Sequence, residues 1–264
     1  MLLTGKNPSN SLRAVEKEIQ QAASLLGLCR FLVVLTGAGI SQESGIPTFR
    51  DARNNYKPQV NPAELGTPEA FARDPERVWS WYRQRLGKIE NAEPNAAHYT
   101  LVELESRFTS FLIISQNVDG LHQQAGSRNV LELHGSIRRA RCSKECGKYS
   151  VIDVQAGGVP YCPECGSMMR PDVVWFNEPL PQDALETAMF ISSYCDLMLI
   201  VGTSGLVTPA AYLPHQAKEH GAALVEINPS PSAITSHTDM FIQGVAGEAL
   251  PLLLAAYDTV DCTR

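Results

Sequence analysis

The chain has 264 residues, 44% apolar and 19% charged, so it can bury a large core without disulfides, and disorder and fibrous repeats are excluded. Its 22 Lys and Arg against 28 Asp and Glu give a net charge of −6, the wrong sign for general nucleic-acid or anionic-membrane binding. No apolar run approaches the ~18–20 residues that cross a bilayer, so no membrane partner is expected. The first eleven residues are mostly polar and lead into a segment carrying Glu16 and Glu18, which argues against a targeting peptide and for a cytoplasmic location.

Residues 12–27 place Leu12, Val15, Ile19, Ala22 and Leu26 at helical spacing, with Gly27 as the expected C-cap. An apolar strand follows from Phe31 to Leu35, and further apolar strands are expected at 111–115, 130–133, 197–201, 222–227 and 239–242. Helical patterns at 96–107, 182–192, 209–220 and 246–257 lie between or after them. Continuous apolar strands separated by helices predict a buried parallel sheet, hence an α/β fold, doubly wound, with its ligand crevice beyond the carboxyl ends of the strands. Two segments break this rhythm: one holds Pro58, Pro62, Pro68 and Pro75 around a helix near 76–90, and the other, 138–172, holds two cysteine pairs. Both read as insertions forming a small second domain. In the helix near 76–90, Val78, Trp81, Tyr82 and Arg85 fall at i, i+3, i+4 and i+7, which predicts an inward-facing stripe that includes a guanidinium.

The loops after the strands carry the candidate chemistry. Gly37, Ala38 and Gly39 open a turn that lets backbone N–H groups approach a pyrophosphate at a helix N-terminus, although Gln42 replaces the third glycine of the dehydrogenase fingerprint and disfavours hydride transfer. Gln116, Asn117, Val118 and Asp119 place amides and a carboxylate where a ribose or carboxamide would be held. His134 sits just past a short strand, where a near-neutral pKa suits a general base. Gly202-Thr203-Ser204 and Asn228-Pro229-Ser230 are further polar turns at strand ends. Of seven cysteines, Cys142 and Cys146 form one knuckle and Cys162 and Cys165 another. Such spacing supplies four thiolates to one structural zinc with no coordination position left for catalysis. Cys29, Cys195 and Cys262 lack paired neighbours and are expected to be packing or surface residues.

With these motifs together, GAGISQESGIPTFR at 37–50, QNVDGLH at 116–122, LHGS at 133–136, the two knuckles, GTS at 202–204 and EIN at 226–228, the chain resembles the sirtuins, NAD-dependent protein-lysine deacylases, from about residue 28 to 256. The resemblance implies a Rossmann-like domain from residues 1–51, 96–137 and 173–264, and a small domain from the helical insertion 52–95 and the zinc ribbon 138–172. It implies an NAD site at Gly37, Ala38, Gly39, Ser41, Thr48, Phe49, Arg50, Tyr56, Gln116, Asn117, Val118, Asp119, Gly202, Thr203, Ser204, Asn228, Pro229, Ser230 and Ala246. His134 is the implied catalytic base, with Asn117 and Asp119 beside it, and Val174, Trp175 and Phe176 line the implied peptide and acyl-lysine channel. Tyr82 and Arg85 match the pair that marks class III sirtuins, which implies removal of succinyl, malonyl or glutaryl groups and, more weakly, acetyl. In the family's reaction the acyl oxygen attacks the ribose carbon bearing nicotinamide, a histidine deprotonates a ribose hydroxyl, and nicotinamide and an O-acyl-ADP-ribose are released. Three features depart from the common pattern: Arg50 is followed by Asp51, Ala52, Arg53, Asn54 and Asn55 where many members have a glycine-rich stretch, Asn177 stands where many members have glycine, and the first knuckle has three intervening residues instead of two.

Plain acetyl-lysine deacetylation and mono-ADP-ribosyl transfer use the same site and are the alternatives within enzymes. A zinc-ribbon binding module is the alternative outside them, suggested by Arg138, Arg139, Arg141, Lys144 and Lys148 beside the knuckle. In an acidic chain that run reads more simply as a solvated surface, so acyl-lysine proteins and not nucleic acid are the expected partners.

Overall fold

A computed structural model describes residues 8–47 and 62–261. The first helix, α1 (Pro8–Leu28), runs past Gly27, which lies inside it and is not its C-cap. Strand β1 (Phe31–Thr36) then enters the centre of a six-stranded sheet together with β2 (Ser110–Ser115), β3 (Val130–Glu132), β7 (Leu197–Val201), β8 (Ala223–Asn228) and β9 (Met240–Gln243). All neighbouring pairs are parallel, in the order β3-β2-β1-β7-β8-β9. The order runs outward in both directions from β1, so the crossovers after β1 and before β7 leave a crevice at their carboxyl ends, where doubly wound sheets bind ligands.

Strand alternation divides the core between the two faces. Leu32 and Val34 point into one cluster with α1, α5 (Ala96–Arg107) and α9 (Ala246–Asp261), while Val33 and Leu35 point into another with α7 (Gln182–Ser192) and α8 (Leu213–Glu219). With both faces covered, every strand must be apolar throughout, which is why the sequence shows runs and not alternation. A short helix, α6 (Leu121–Ala125), follows β2, and the pattern at 209–220 resolves into a 3-10 turn over Ala210–Tyr212 followed by α8.

The inserted segments share a third core. Helices α2 (Pro62–Leu65), α3 (Pro68–Arg73) and α4 (Pro75–Ile89) pack on a three-stranded antiparallel sheet, β5-β4-β6, formed by β4 (Gly135–Cys142), β5 (Tyr149–Val151) and β6 (Met169–Val173). Both longer helices start with a proline after a capping side chain: Thr67 accepts from the Ala70 N–H and Asp74 from the Arg77 N–H. The buried stripe of α4 is Val78, Trp79, Tyr82, Leu86 and Ile89. This corrects the expectation from spacing, since Trp79 takes the inner position, with its indole N–H donating to the Met169 carbonyl at 2.9 Å. Trp81 and Arg85 lie half-buried on the flank, the guanidinium 5.6 Å from the Trp81 ring. Asn177 has φ of 68° and Glu145 of 54°. Asparagine tolerates that left-handed region, so it replaces glycine at 177 at little cost, and Glu145 adopts the same region inside the first knuckle.

Candidate functional site

The crevice is built by loops that clamp one another. After β1 the chain enters a 3-10 turn, Ala38–Ser44, so the helix expected behind the glycine turn is of the 3-10 kind. The Gly37 N–H donates to the Val201 carbonyl at 3.0 Å and the Gly39 N–H to the Gly202 carbonyl at 2.8 Å. A Cβ on Gly39 would lie 2.7 Å from the Gly202 backbone, and one on Gly202, whose φ is 63°, would lie 2.4 Å from the Ile40 nitrogen. The two glycine loops therefore touch backbone to backbone, which any side chain would prevent. Asn95, the N-cap of α5, donates to the Ile40 carbonyl and the Ser44 hydroxyl and so fixes the far side of the turn.

The loop after β2 is tied to both. Asn117 donates its amide to the Gly37 carbonyl at 3.1 Å and to Ser41 Oγ at 3.2 Å. The buried Asp119 carboxylate accepts from Ser41 Oγ at 2.8 Å and from the Leu121 N–H at 2.9 Å. Gln116 donates to Thr203 Oγ1 at 3.0 Å, and Arg138 holds the Asp119 carbonyl at 2.8 Å. At the next strand end, Asn228 spends both amide hydrogens, on the Thr203 carbonyl and on Glu226, leaving its own carbonyl oxygen as an acceptor. Glu226 is fully buried and is one of the groups that single-residue reasoning missed; its signal was its place in the EIN motif.

His134 follows β3, and its Nδ1 lies 2.7 Å from the Gln116 carbonyl oxygen. A carbonyl can only accept, so Nδ1 carries the hydrogen and Nε2 keeps a lone pair. Burial holds the imidazole pKa below 6.5, opposed by the bond to Gln116, so the ring is neutral at pH 7. Behind the loops lie two more histidines that spacing did not flag. His122 meets Thr36 Oγ1 at 3.0 Å, and His98 stands 5.0 Å from it, ring to ring. Burial depresses their pKa values to about 3 and about 4 respectively, so both are neutral packing groups.

Of the remaining expected residues, Val174 donates its N–H to the His134 carbonyl, and Phe176 is about half-exposed with its N–H on the Gly66 carbonyl. Trp175 is buried behind Tyr82, to whose hydroxyl its indole N–H donates. Pro229 and Ser230 are exposed just beyond β8. Ala246 begins α9, where the neighbouring Gly247 N–H donates to Glu43 of the 38–44 turn. Thr48, Phe49, Arg50 and Tyr56, and also Cys262, lie outside the described residues.

The four knuckle sulfurs converge within 4.8 Å, with separations of 3.4 Å for Cys142 to Cys165, 3.5 Å for Cys146 to Cys162 and 3.8 Å for Cys146 to Cys165. Tetrahedral Zn–S bonds of about 2.3 Å require sulfurs about 3.8 Å apart, so the set suits one zinc ion. The nearby cations are largely spent on carboxylates: Arg139 on Glu132 and Asp172, Arg141 on Glu145 and Asp172, and Lys148 on Glu164. No helix among the described residues is long and apolar enough to cross a membrane.

Residues 37–209 match the pattern of the Sir2 family. NAD-dependent protein deacylase 2 of Pyrobaculum aerophilum is 56% identical over 233 residues, which cover 88% of this chain and 93% of that protein. The NAD-dependent protein deacylase of Thermococcus kodakarensis is 52% identical over 241 residues, with 88% and 93% coverage. Among solved structures, a Sir2 homolog in complex with NAD superposes with a TM-score of 0.82 at 43% identity, covering 93% of this chain and 94% of that one. A second, Sir2Af2 bound to a myristoylated histone peptide, has a TM-score of 0.74 at 35% identity, covering 94% and 100%. By pattern, by near-complete coverage at these identities, and by a doubly wound sheet carrying a four-cysteine insertion, the chain belongs to the Sir2 family.

Proposed function

We propose that the protein is an NAD-dependent protein-lysine deacylase, with the small domain formed by 52–95 and 138–172, and that it favours acyl groups ending in a carboxylate. The observation that carries the deacylase reading is His134, whose Nδ1–H is committed to the Gln116 carbonyl and whose Nε2 is therefore a base at the strand-end crevice. NAD, when bound, supplies an electrophilic ribose carbon and a leaving nicotinamide. The chain's part is to hold the sugar and receive a proton. The fixed acceptor of Asn228 and the Ser41, Asn117 and Asp119 network suit ribose hydroxyls, and His134 Nε2 takes the proton from one of them. Val174, bonded to the histidine's own backbone, couples the acyl-lysine side of the cleft to the base.

Asn117→Ala and Asp119→Ala are expected to raise the NAD KM and to slow turnover together, because each removes ties between the loops that position the cofactor. Steady-state kinetics in NAD check this; a change in kcat alone would assign these residues to the chemistry instead.

The acyl preference rests on Tyr82 and Arg85. Burial lowers the Arg85 pKa without discharging the guanidinium, and the Asp119 carboxylate acts in the opposite sense. Arginine binds a carboxylate through paired N–H bonds, and a tyrosine hydroxyl adds a third. A succinyl, malonyl or glutaryl lysine ends in such a carboxylate and acetyl lysine does not. The expected result is a higher kcat/KM on succinyl than on acetyl peptide by about tenfold to a hundredfold, the factor that the added charge-assisted hydrogen bonds to the acyl carboxylate imply. Arg85→Met should erase most of that ratio. A panel of one peptide bearing acetyl, malonyl, succinyl, glutaryl or myristoyl lysine, with product analysis for O-acyl-ADP-ribose, tests both statements. Acetyl preferred by the wild type, or equal losses on succinyl and acetyl in Arg85→Met, would make a plain deacetylase the better reading, and ADP-ribosylated protein as the product would replace deacylation altogether.

A further inference from the structure

Trp175 joins the core of the small domain to the inner face of α4. Its indole is 3% exposed and stacks beneath the Arg170 guanidinium, 3.4 Å from the ring centre, with the Phe71 ring 5.2 Å away. Arg170 is itself fixed. It donates to both carboxylate oxygens of Glu178, at 2.5 and 2.8 Å, and to the Val173 carbonyl at 3.1 Å. The same Glu178 accepts the backbone N–H of Trp175 at 2.9 Å. Glutamate and arginine thus grip the tryptophan by its backbone and by its face, which leaves the indole one orientation. In that orientation Nε1–H donates to the Tyr82 hydroxyl oxygen at 2.9 Å.

A phenol hydroxyl has one hydrogen, which prefers the plane of the ring, and it can both donate and accept. With the indole hydrogen occupying one side of the oxygen, the tyrosine's own hydrogen is turned to the other. The Tyr82 ring stands edge-on to Trp81 at 4.7 Å, and Trp81 carries the Arg85 guanidinium over its face. Tyrosine, tryptophan and arginine thus form one continuous assembly running out from the buried clamp, with Asp119 of the crevice loops acting on its arginine end. Trp175 has no comparable contact with His134, whose backbone is instead bonded to Val174.

We propose that Trp175 is a positioning residue for acyl recognition: its indole N–H occupies the Tyr82 oxygen and so fixes Tyr82 as a hydrogen-bond donor toward the acyl end, while Arg170 and Glu178 hold the indole in place. This rests on the reading that the acyl group ends in a carboxylate. A carboxylate has only acceptors to offer, so a tyrosine held as a donor complements it, whereas a freely rotating hydroxyl would present its lone pairs part of the time. Arg170 and Glu178 act two contacts away, on orientation alone.

Trp175→Phe keeps an aromatic ring between Arg170 and Phe71 and deletes the N–H. The expected result is a fall in the succinyl-to-acetyl ratio of kcat/KM of roughly three- to tenfold, as loss of one hydrogen bond implies, with the loss lying in the succinyl KM and not in kcat. A second measurement needs no turnover and no folding of the Trp175 variant. In protein labelled with nitrogen-15, whose three tryptophans give three indole N–H signals, Tyr82→Phe should shift one signal strongly toward the value of a free indole. A wild type that prefers succinyl, combined with an unchanged ratio in Trp175→Phe or with no strongly shifted indole signal in Tyr82→Phe, overturns the positioning role alone. A wild type that prefers acetyl overturns the carboxylate reading and this proposal with it.

Discussion

His134→Ala is expected to reduce deacylation by about 10²- to 10⁴-fold, the usual contribution of a positioned general base, while leaving the fold and the zinc in place. The fold should survive because the imidazole's one described hydrogen bond goes to the Gln116 carbonyl at the crevice, outside all three apolar clusters. The variant should still bind NAD with little change in affinity, because the loops that hold the cofactor are tied through Ser41, Asn117, Asp119 and Thr203 and not through the histidine. The wild-type pH profile supplies an independent check. Burial holds the His134 pKa below 6.5 in the folded protein, so the base is already neutral at pH 7, and activity should fall only as pH drops through that lowered value. An acid limb centred well above 6.5, or turnover within about tenfold of wild type in His134→Ala, would place the base elsewhere.

The second large effect concerns the metal. Cys162→Ser is expected to yield protein that melts far lower or aggregates, and intact protein should contain one zinc per chain. The four sulfurs come from the β4–β5 turn and the loop leading into β6, segments with little apolar core of their own: Cys142 and Cys162 are buried, Cys146 and Cys165 exposed. Zinc joining two such turns contributes folding free energy, about 10–16 kcal/mol in isolated zinc-finger peptides, so removing one thiolate removes much of what closes the β5-β4-β6 sheet. Because β4 begins at Gly135, directly after His134, and β6 leads into Val174 and Trp175, loosening this sheet reaches both the base and the acyl side of the cleft. A chelator should therefore inactivate slowly and in step with unfolding, followed by circular dichroism. Fully active, soluble protein without zinc would show that the sulfurs have no structural role.

Much of this was legible in the sequence because the information is local. All six sheet strands were expected within about one residue, since a strand covered on both faces must be an apolar run. Even β3, expected at 130–133, is found at Val130–Glu132, where pairing with β2 sets its short length. The three antiparallel strands of the small domain were not foreseen at all. GSIRRARC, YSV and MRPDV are short and rich in charge, and they pair because the knuckles and α4 hold them together. The glycine turn after β1 was expected at a helix N-terminus; the helix there is of the 3-10 kind, tied to the Gly202 loop and to Asn95, both far away in the chain.

What the sequence determined by itself is therefore whatever depends on spacing along the chain: the alternation that builds a doubly wound α/β sheet, the two cysteine knuckles, and the motif set that marks the family. What only the tertiary structure decided is which groups meet across it. Spacing put Trp81 on the inward stripe of α4, but Trp79 took the place because a carbonyl acceptor at Met169 and an apolar cluster from a segment 90 residues later were waiting there. In the same way Trp175 reaches Tyr82 across 93 residues, Ser41 reaches Asp119 across 78, and Arg170 closes on Glu178 to hold the indole. A buried donor must find an acceptor, and which acceptor is within 3 Å is settled by how the domain closes, not by the pattern of the helix that carries the donor.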